Sequence, residues 1–357
     1  MRIRRRTAHA IGLSLTLVAF SGCGIDLPYL LHLAGGVIVS YSHTKPIEQA
    51  LADGSVTPEQ AAKLQLVLAL RTFAADRLGM NVGESYSLYE DNSGDAIAYA
   101  LSASRRDRFE KYQWTFPIVG VFDTKGFFDL AAAQSEASAL QQQGYDVFLG
   151  EVAGFSTLGI LPDPIRASNL ELSDISLSEL LMHELTHNTI FKPNDTDFNE
   201  SMATFVGRAA AQRYFDEIFG ADSAEAVAAS RYFADLAVID SYVIEIYHRM
   251  LDYYAQPIPS EEKITGREAA FAQLRQLFTD AYQPLLNDPQ QFDYVRNIAQ
   301  NNAVILAGIR YQAGLDLFEE VFNAVGRDFG PLLEVLRAAA GASDSRSYLR
   351  SWLDGAH

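Results

Sequence analysis

The chain reads as a mainly helical α+β protein with a small sheet packed among helices. Three observations carry that reading. Apolar residues recur at intervals of three and four from Pro46 to about Leu78, and again through nearly everything after Ser173. Between them, from about residue 112 to 160, the texture changes to aromatic and β-branched runs. No internal repeat and no low-complexity linker interrupts the 357 residues, so residues 23–357 are expected to form one mixed domain behind a leader of residues 1–22. The sheet-containing part is expected at about 112–160 and the helical part at about 173–357. With 45 acidic against 28 basic side chains the formal charge is −17 and the isoelectric point about 4.8, which argues against nucleic acid as a partner. A single cysteine, Cys23, excludes an internal disulfide framework and a cysteine-ligated metal or iron–sulfur site. Any metal must be held by histidine and carboxylate.

The leader comes first. Met1 to Arg6 is basic, Ala8 to Phe20 is uncharged, and the small residues Ser21 and Gly22 precede Cys23, which is the layout of a secretory signal peptide. The apolar run is shorter than the roughly 20 residues that a spanning helix needs. Phe20-Ser21-Gly22-Cys23 resembles a bacterial lipobox, in which the cysteine becomes the lipidated first residue; the alternative is a stray thiol behind an ordinary cleavage site. Cleavage there would remove four arginines and no acid, taking the charge from −17 to −21 over 335 residues. Such a body would be repelled by anionic lipid and would hang from its acyl chains at the cell envelope. Gly24 in place of aspartate after Cys23 is compatible with outer-membrane sorting. A second apolar stretch, residues 27–41, contains His32, is too short to span, and is expected to pack on the domain.

The first helical stretch, Pro46 to about Leu78, carries Ile47, Leu51, Leu64, Val67, Leu70 and Phe73, with a start signal at Thr57-Pro58-Glu59 and a stop at Gly79. Trp114 to Phe122 and Asp146 to Val152 predict strands, separated by a turn at Asp123–Gly126 and an alanine-rich helix from about Asp129 to Gln143. The helical remainder is punctuated by Pro193, Gly220, Gln256–Ser260, Pro284, Pro289 and Gly330-Pro331.

His183-Glu184-Leu185-Thr186-His187 is an H-E-x-x-H motif, and Ser176 to Glu179 reads as a capping box opening its helix. Pro193 forces that helix to end close to Lys192. Histidines four apart project from one side of a helix, so both imidazoles can reach a single Zn²⁺. Glu184, rotated by roughly 100°, stands beside the metal without ligating it, where a general base is needed to take a proton from an activated water. A third ligand is required. Glu200 is the best candidate, because Glu200, Ala203, Thr204 and Gly207 share one face of a second helix running to about Gly220, and small residues let that helix lie close to the first. Asp195 and Asp197 are lesser alternatives, and Asp197 to Glu200 could instead be a helix cap.

At these residues the chain resembles a bacterial family of predicted zinc aminopeptidases, usually envelope lipoproteins, built as gluzincin-type metallopeptidases. The matching stretches are Phe116–Gly120 with Lys125–Asp129, Phe155–Gly159 with Asp163-Pro164, and His183–His187 with Phe198–Phe205. Asn301–Ala303 with Tyr311 match more weakly. The resemblance implies a zincin-like fold, His183, His187 and Glu200 as zinc ligands, and Glu184 as the catalytic base. Asn199 precedes the third ligand as in glutamate-ligand metallopeptidases generally.

Peptide hydrolysis by this route also uses an edge strand for the substrate backbone and a donor to the oxyanion. Phe155 to Gly159, with Ser156, Thr157 and Gly159 as substrate contacts, could be that strand, or a plain strand-to-loop turn. Tyr311 and His248 are candidate oxyanion donors. An aminopeptidase further needs an anion for the substrate's free amine, for which Asp163 and Glu151 are near in sequence. The expected function is therefore that of a zinc-dependent peptidase acting on peptide substrates, an aminopeptidase on the resemblance. A zinc endopeptidase of the same mechanism and a non-catalytic envelope lipoprotein with a structural metal site are the alternatives.

Overall fold

The computed structural model describes residues 41–91, 98–116, 120–151 and 162–355. The leader with Cys23, and the expected substrate contacts Ser156, Thr157 and Gly159, lie outside the described residues. What is described is mainly helical, with three small sheets packed among helices.

Strand β1 (Thr44–Pro46) runs directly into helix α1 (Ile47–Ala52), and α2 (Pro58–Leu78) follows after a turn. The helical stretch read from Pro46 to Leu78 is thus two helices. Asp53 accepts from the Ser55 backbone at 3.0 Å and Gly54 adopts φ +68°, a left-handed turn that no helix continues through. Thr57 and Gln60 form a reciprocal capping box that opens α2, and Gly79 at φ +70° closes it.

Strands β2 (Leu88–Glu90), β3 (Tyr99–Arg105), β4 (Trp114–Phe116), β5 (Gly120–Phe122) and β6 (Lys125–Phe127) lead to α3 (Leu130–Gln142), β7 (Tyr145–Glu151) and β8 (Ile165–Arg166). One sheet has the order β6-β3-β7, all antiparallel, with Leu101 opposite both Lys125 and Leu149. A second has the order β1-β2-β8, its β2–β8 pair parallel with Tyr89 opposite Ile165. Within the run from Trp114 to Phe122, β4 and β5 form a separate antiparallel pair. Sheet residues therefore begin well upstream of residue 112. Central strand β3 escapes sequence reading because alanine and serine, poor strand formers, fill it, although Tyr99, Leu101 and Ala103 alternate into a core beneath α3. The expected turn at Asp123–Gly126 is half strand, since Lys125 and Gly126 belong to β6.

The remainder is helical: α4 (Asp174–Thr189), α5 (Thr196–Phe219), α6 (Ala224–Ala255), α7 (Ser260–Leu277), α8 (Asn302–Gln312), α9 (Leu315–Ala324), α10 (Phe329–Gly341) and α11 (Ser345–Leu353). Gly330-Pro331 is not a break: it lies in the first turn of α10, where proline's missing N–H costs nothing, and Asp328 caps the helix. The main core gathers α2, α4, α5, α9 and α10 around Leu64, Leu181, Met202, Phe318 and Leu332. A second core joins α6 and α7 through Tyr242 and Phe271. No described helix is long and apolar enough to cross a membrane.

Candidate metal centre

The site grows from two consecutive helices. Ser173, not Ser176, caps α4: its hydroxyl accepts from the Ser176 backbone at 3.1 Å, and Asp174 in the first turn meets the helix dipole. The helix starts earlier than the expected capping box, and Glu179 is released to pair with Arg208. At the other end the chain turns extended at Ile190, two residues before Lys192.

The connection to α5 is held by Asn199. Its side-chain oxygen accepts from the Lys192 backbone N–H at 2.8 Å and its amide donates to the Lys192 carbonyl at 2.7 Å, all with the side chain buried. Asp195 caps α5 by accepting from the Phe198 backbone at 3.2 Å. Asp197 is engaged by Lys111 at 2.9 Å and Arg310 at 3.4 Å. Neither alternative aspartate joins the metal-ligating cluster.

The small-residue face of α5 does what its sequence predicts. A Cβ on Gly207 would sit 3.0 Å from the His183 backbone nitrogen and 3.1 Å from its Cα, so the two helices touch backbone to backbone beside the first histidine. That approach brings Glu200 to the histidines. The Nε2 atoms of His183 and His187 are 3.2 Å apart, and Glu200 Oε2 lies 3.3 Å from the first and 3.7 Å from the second. These three side chains are a group able to hold a metal ion, with all donor atoms within 4.8 Å of one another.

Charge is strongly organised here. Burial opposes a charge on His183, but the hydrogen bond to Glu200 and the neighbouring carboxylates outweigh it and raise its pKa. Burial would also raise the Glu200 carboxyl, yet hydrogen bonds from both imidazoles hold it well below the usual carboxylate range. Glu184, 8% exposed, is lifted above its ordinary pKa chiefly by burial, against the pull of the two histidines.

Tyr311, on α8, lies close by, its ring centroid 6.2 Å from that of His183. Desolvation, followed by the charge of Glu200, raises its phenol far above the normal value. His248 stands edge-on to Tyr247 and lines a cavity of about 610 Å³ with Asp240, Gln312 and Asp316. Of the two candidate anions for an amine, Glu151 is exposed at the end of β7, whereas Asp163 is buried, receives a hydrogen bond from Ser85 at 3.3 Å, and adds to the upward shift of Glu184.

Two features escaped sequence reading. Tyr86 is buried with φ 59°, a backbone conformation rare for an aromatic residue, and its N–H bonds the Asp163 carbonyl at 2.5 Å. Arg208, one residue beyond Gly207, bridges Glu179 and Asp240. No spacing rule marks either one, because their partners lie on other elements.

Comparison with curated proteins and with solved structures gives no match. A family model does match: the family described as "Putative aminopeptidase" aligns with residues 28–348, which takes in the H-E-x-x-H helix, Glu200 and Tyr311. Over that span, nearly the whole chain, the protein belongs to this aminopeptidase family.

Proposed function

We propose that the protein is a zinc-dependent aminopeptidase of the bacterial cell envelope, tethered by lipid on Cys23. One observation carries the metal: the edges of the His183–His187–Glu200 triangle, 3.2, 3.3 and 3.7 Å. A tetrahedral ion with ligand bonds of about 2.0–2.2 Å has edges of about 3.3–3.6 Å, so the donor set suits zinc in both chemistry and size. Among the described residues the cluster holds three donors, which favours an open catalytic position over a closed structural one. Zinc held there supplies Lewis acidity toward the scissile carbonyl and lowers the pKa of water toward neutrality.

The chain's own residues do the rest. The Glu184 carboxylate, one residue from His183 and tuned upward by burial, accepts the proton of the attacking water and returns it to the departing amine. Tyr311, 39% exposed as a whole residue, keeps its proton because desolvation at its hydroxyl and the charge of Glu200 disfavour the phenolate, and it offers that proton as a hydrogen bond to the carbonyl oxygen as negative charge develops. Aminopeptidase specificity rests on family membership, and the envelope location on the leader and Cys23.

The test is a soluble protein starting after Cys23, assayed on peptides with free and with blocked amino termini. Removal of the terminal residue from free-amine peptides only, retained zinc with lost activity in Glu184→Ala, and lost zinc in His183→Ala are expected. Cleavage of blocked peptides at internal bonds would make it an endopeptidase, and full activity in Glu184→Ala would reject the base.

A further inference from the structure

The geometry points to Arg208 as a positioning residue that sets Tyr311 against the metal ligands by joining three helices. This rests on the reading of Tyr311 as the oxyanion donor. The Arg208 guanidinium spans two carboxylates: its Nε donates to Glu179 on α4 at 3.0 Å, and its terminal nitrogens donate to both oxygens of Asp240 on α6. All three side chains are largely buried, at 17, 19 and 10% exposure, so their attraction is little screened by water.

Each end of this bridge reaches toward the reacting groups. Glu179 lies one turn before His183 on the same face of α4. Arg208 itself follows Gly207, the residue in backbone contact with His183. On the far side, Asp240 lines the 610 Å³ cavity together with Gln312, which neighbours the same carboxylate and directly follows Tyr311 on α8. Helices α6 and α8 are close there, since a Cβ on Gly308 would meet Val243 at 3.4 Å. The three Arg208 hydrogen bonds therefore fix α4 relative to α6, and α6 carries α8 and the phenol. A lysine keeps the charge but cannot hold two carboxylates in one planar fork.

The experiment is a double-mutant cycle of Arg208→Lys and Tyr311→Phe in the zinc-loaded protein, reading kcat, KM and bound zinc. Arg208→Lys should lower kcat about 10- to 100-fold, the scale of a small misplacement, with KM and zinc content unchanged. In the Tyr311→Phe background the same substitution should have almost no effect, because there is no donor left to misplace. An equal fall in kcat in both backgrounds, or loss of zinc in Arg208→Lys, overturns the assignment. Undiminished kcat in Tyr311→Phe alone overturns the donor reading beneath it, and does so without involving Arg208. Should Arg208→Lys fail to fold, Asp240→Asn carries the same cycle with the same outcomes.

Discussion

The candidate site has two halves that are built by different physics. The α4–α5 half holds His183, Glu184, His187 and Glu200 through local rules: histidines one turn apart, a short connection, and a glycine where two backbones meet. The α8 half holds Tyr311 through long-range ion pairs and hydrogen bonds. Asp146 on β7 pairs with Arg267 through two bonds of 2.6 and 2.8 Å and also accepts the first backbone N–H of α8 at 2.9 Å. The side chains of Asn302, Tyr254 and Arg310 extend this anchoring to β3, α6 and the turn at Asp123. The first half can be specified by about thirty consecutive residues, as one helical hairpin. The second needs residues far apart in sequence to meet before it exists.

Breaking the long-range half should have the largest effect on stability. Asp146→Asn leaves the Arg267 guanidinium, 2% exposed, without its charge partner and should cost about 3–5 kcal/mol in denaturant unfolding. A loss below about 1 kcal/mol, the worth of an exposed pair, would remove the contrast between the halves. Next comes Tyr311→Phe, expected to lower kcat about 100-fold with zinc affinity unchanged, since the phenol belongs to the half without the candidate metal ligands. Reduced zinc binding in that variant would merge the two halves into one.

Gly207→Val tests the helical hairpin itself. The added side chain meets backbone rather than a movable side chain, so about 1–3 kcal/mol of stability should be lost, together with zinc affinity as Glu200 is pushed from the histidines. Calorimetric zinc titration showing full affinity would detach the glycine from the metal site.

The smallest effect concerns Glu184 in the chelated protein. Its folded pKa is raised above the ordinary 4.5, so the folded state binds more protons than the unfolded between the two values, and stability falls as pH rises through that window. Glu184→Gln should therefore be more stable than wild type at neutral pH and lose that advantage below about pH 4.5. Melting curves with no pH-dependent difference would show that the base carries no burial cost.

This division also explains what the sequence makes legible. His183, His187 and Glu200 converge as their spacing predicts, because helical periodicity and small residues act over a few turns. The helix from Leu130 to Gln142 and strand β7 fall within a residue or two of their expected bounds, each marked by a cap or an apolar run. Strand β3 is missed because its partners, not its own alanines and serines, make it a strand. Asn301 and Asn302, marked in the sequence only by a weak family match, anchor α8 to Val147 and Arg105. His248 shows the same limit: nothing within a few positions of it says which way it faces from a 32-residue helix, and it lines the cavity with Asp240 and Gln312.

The clasp between Asn199 and Lys192 has an evolutionary and an engineering corollary. It makes the count of residues from His187 to Glu200 a fixed gauge, whereas within the link identity matters chiefly at Asp195, which caps the following helix, and at Asn194, held at φ 63°. One inserted residue after the clasp would turn the following helix by about 100° and aim a different side chain at the two histidines. Outside Asp195 and Asn194, homologous chains and designed variants should thus tolerate changed letters in this link far better than a changed length.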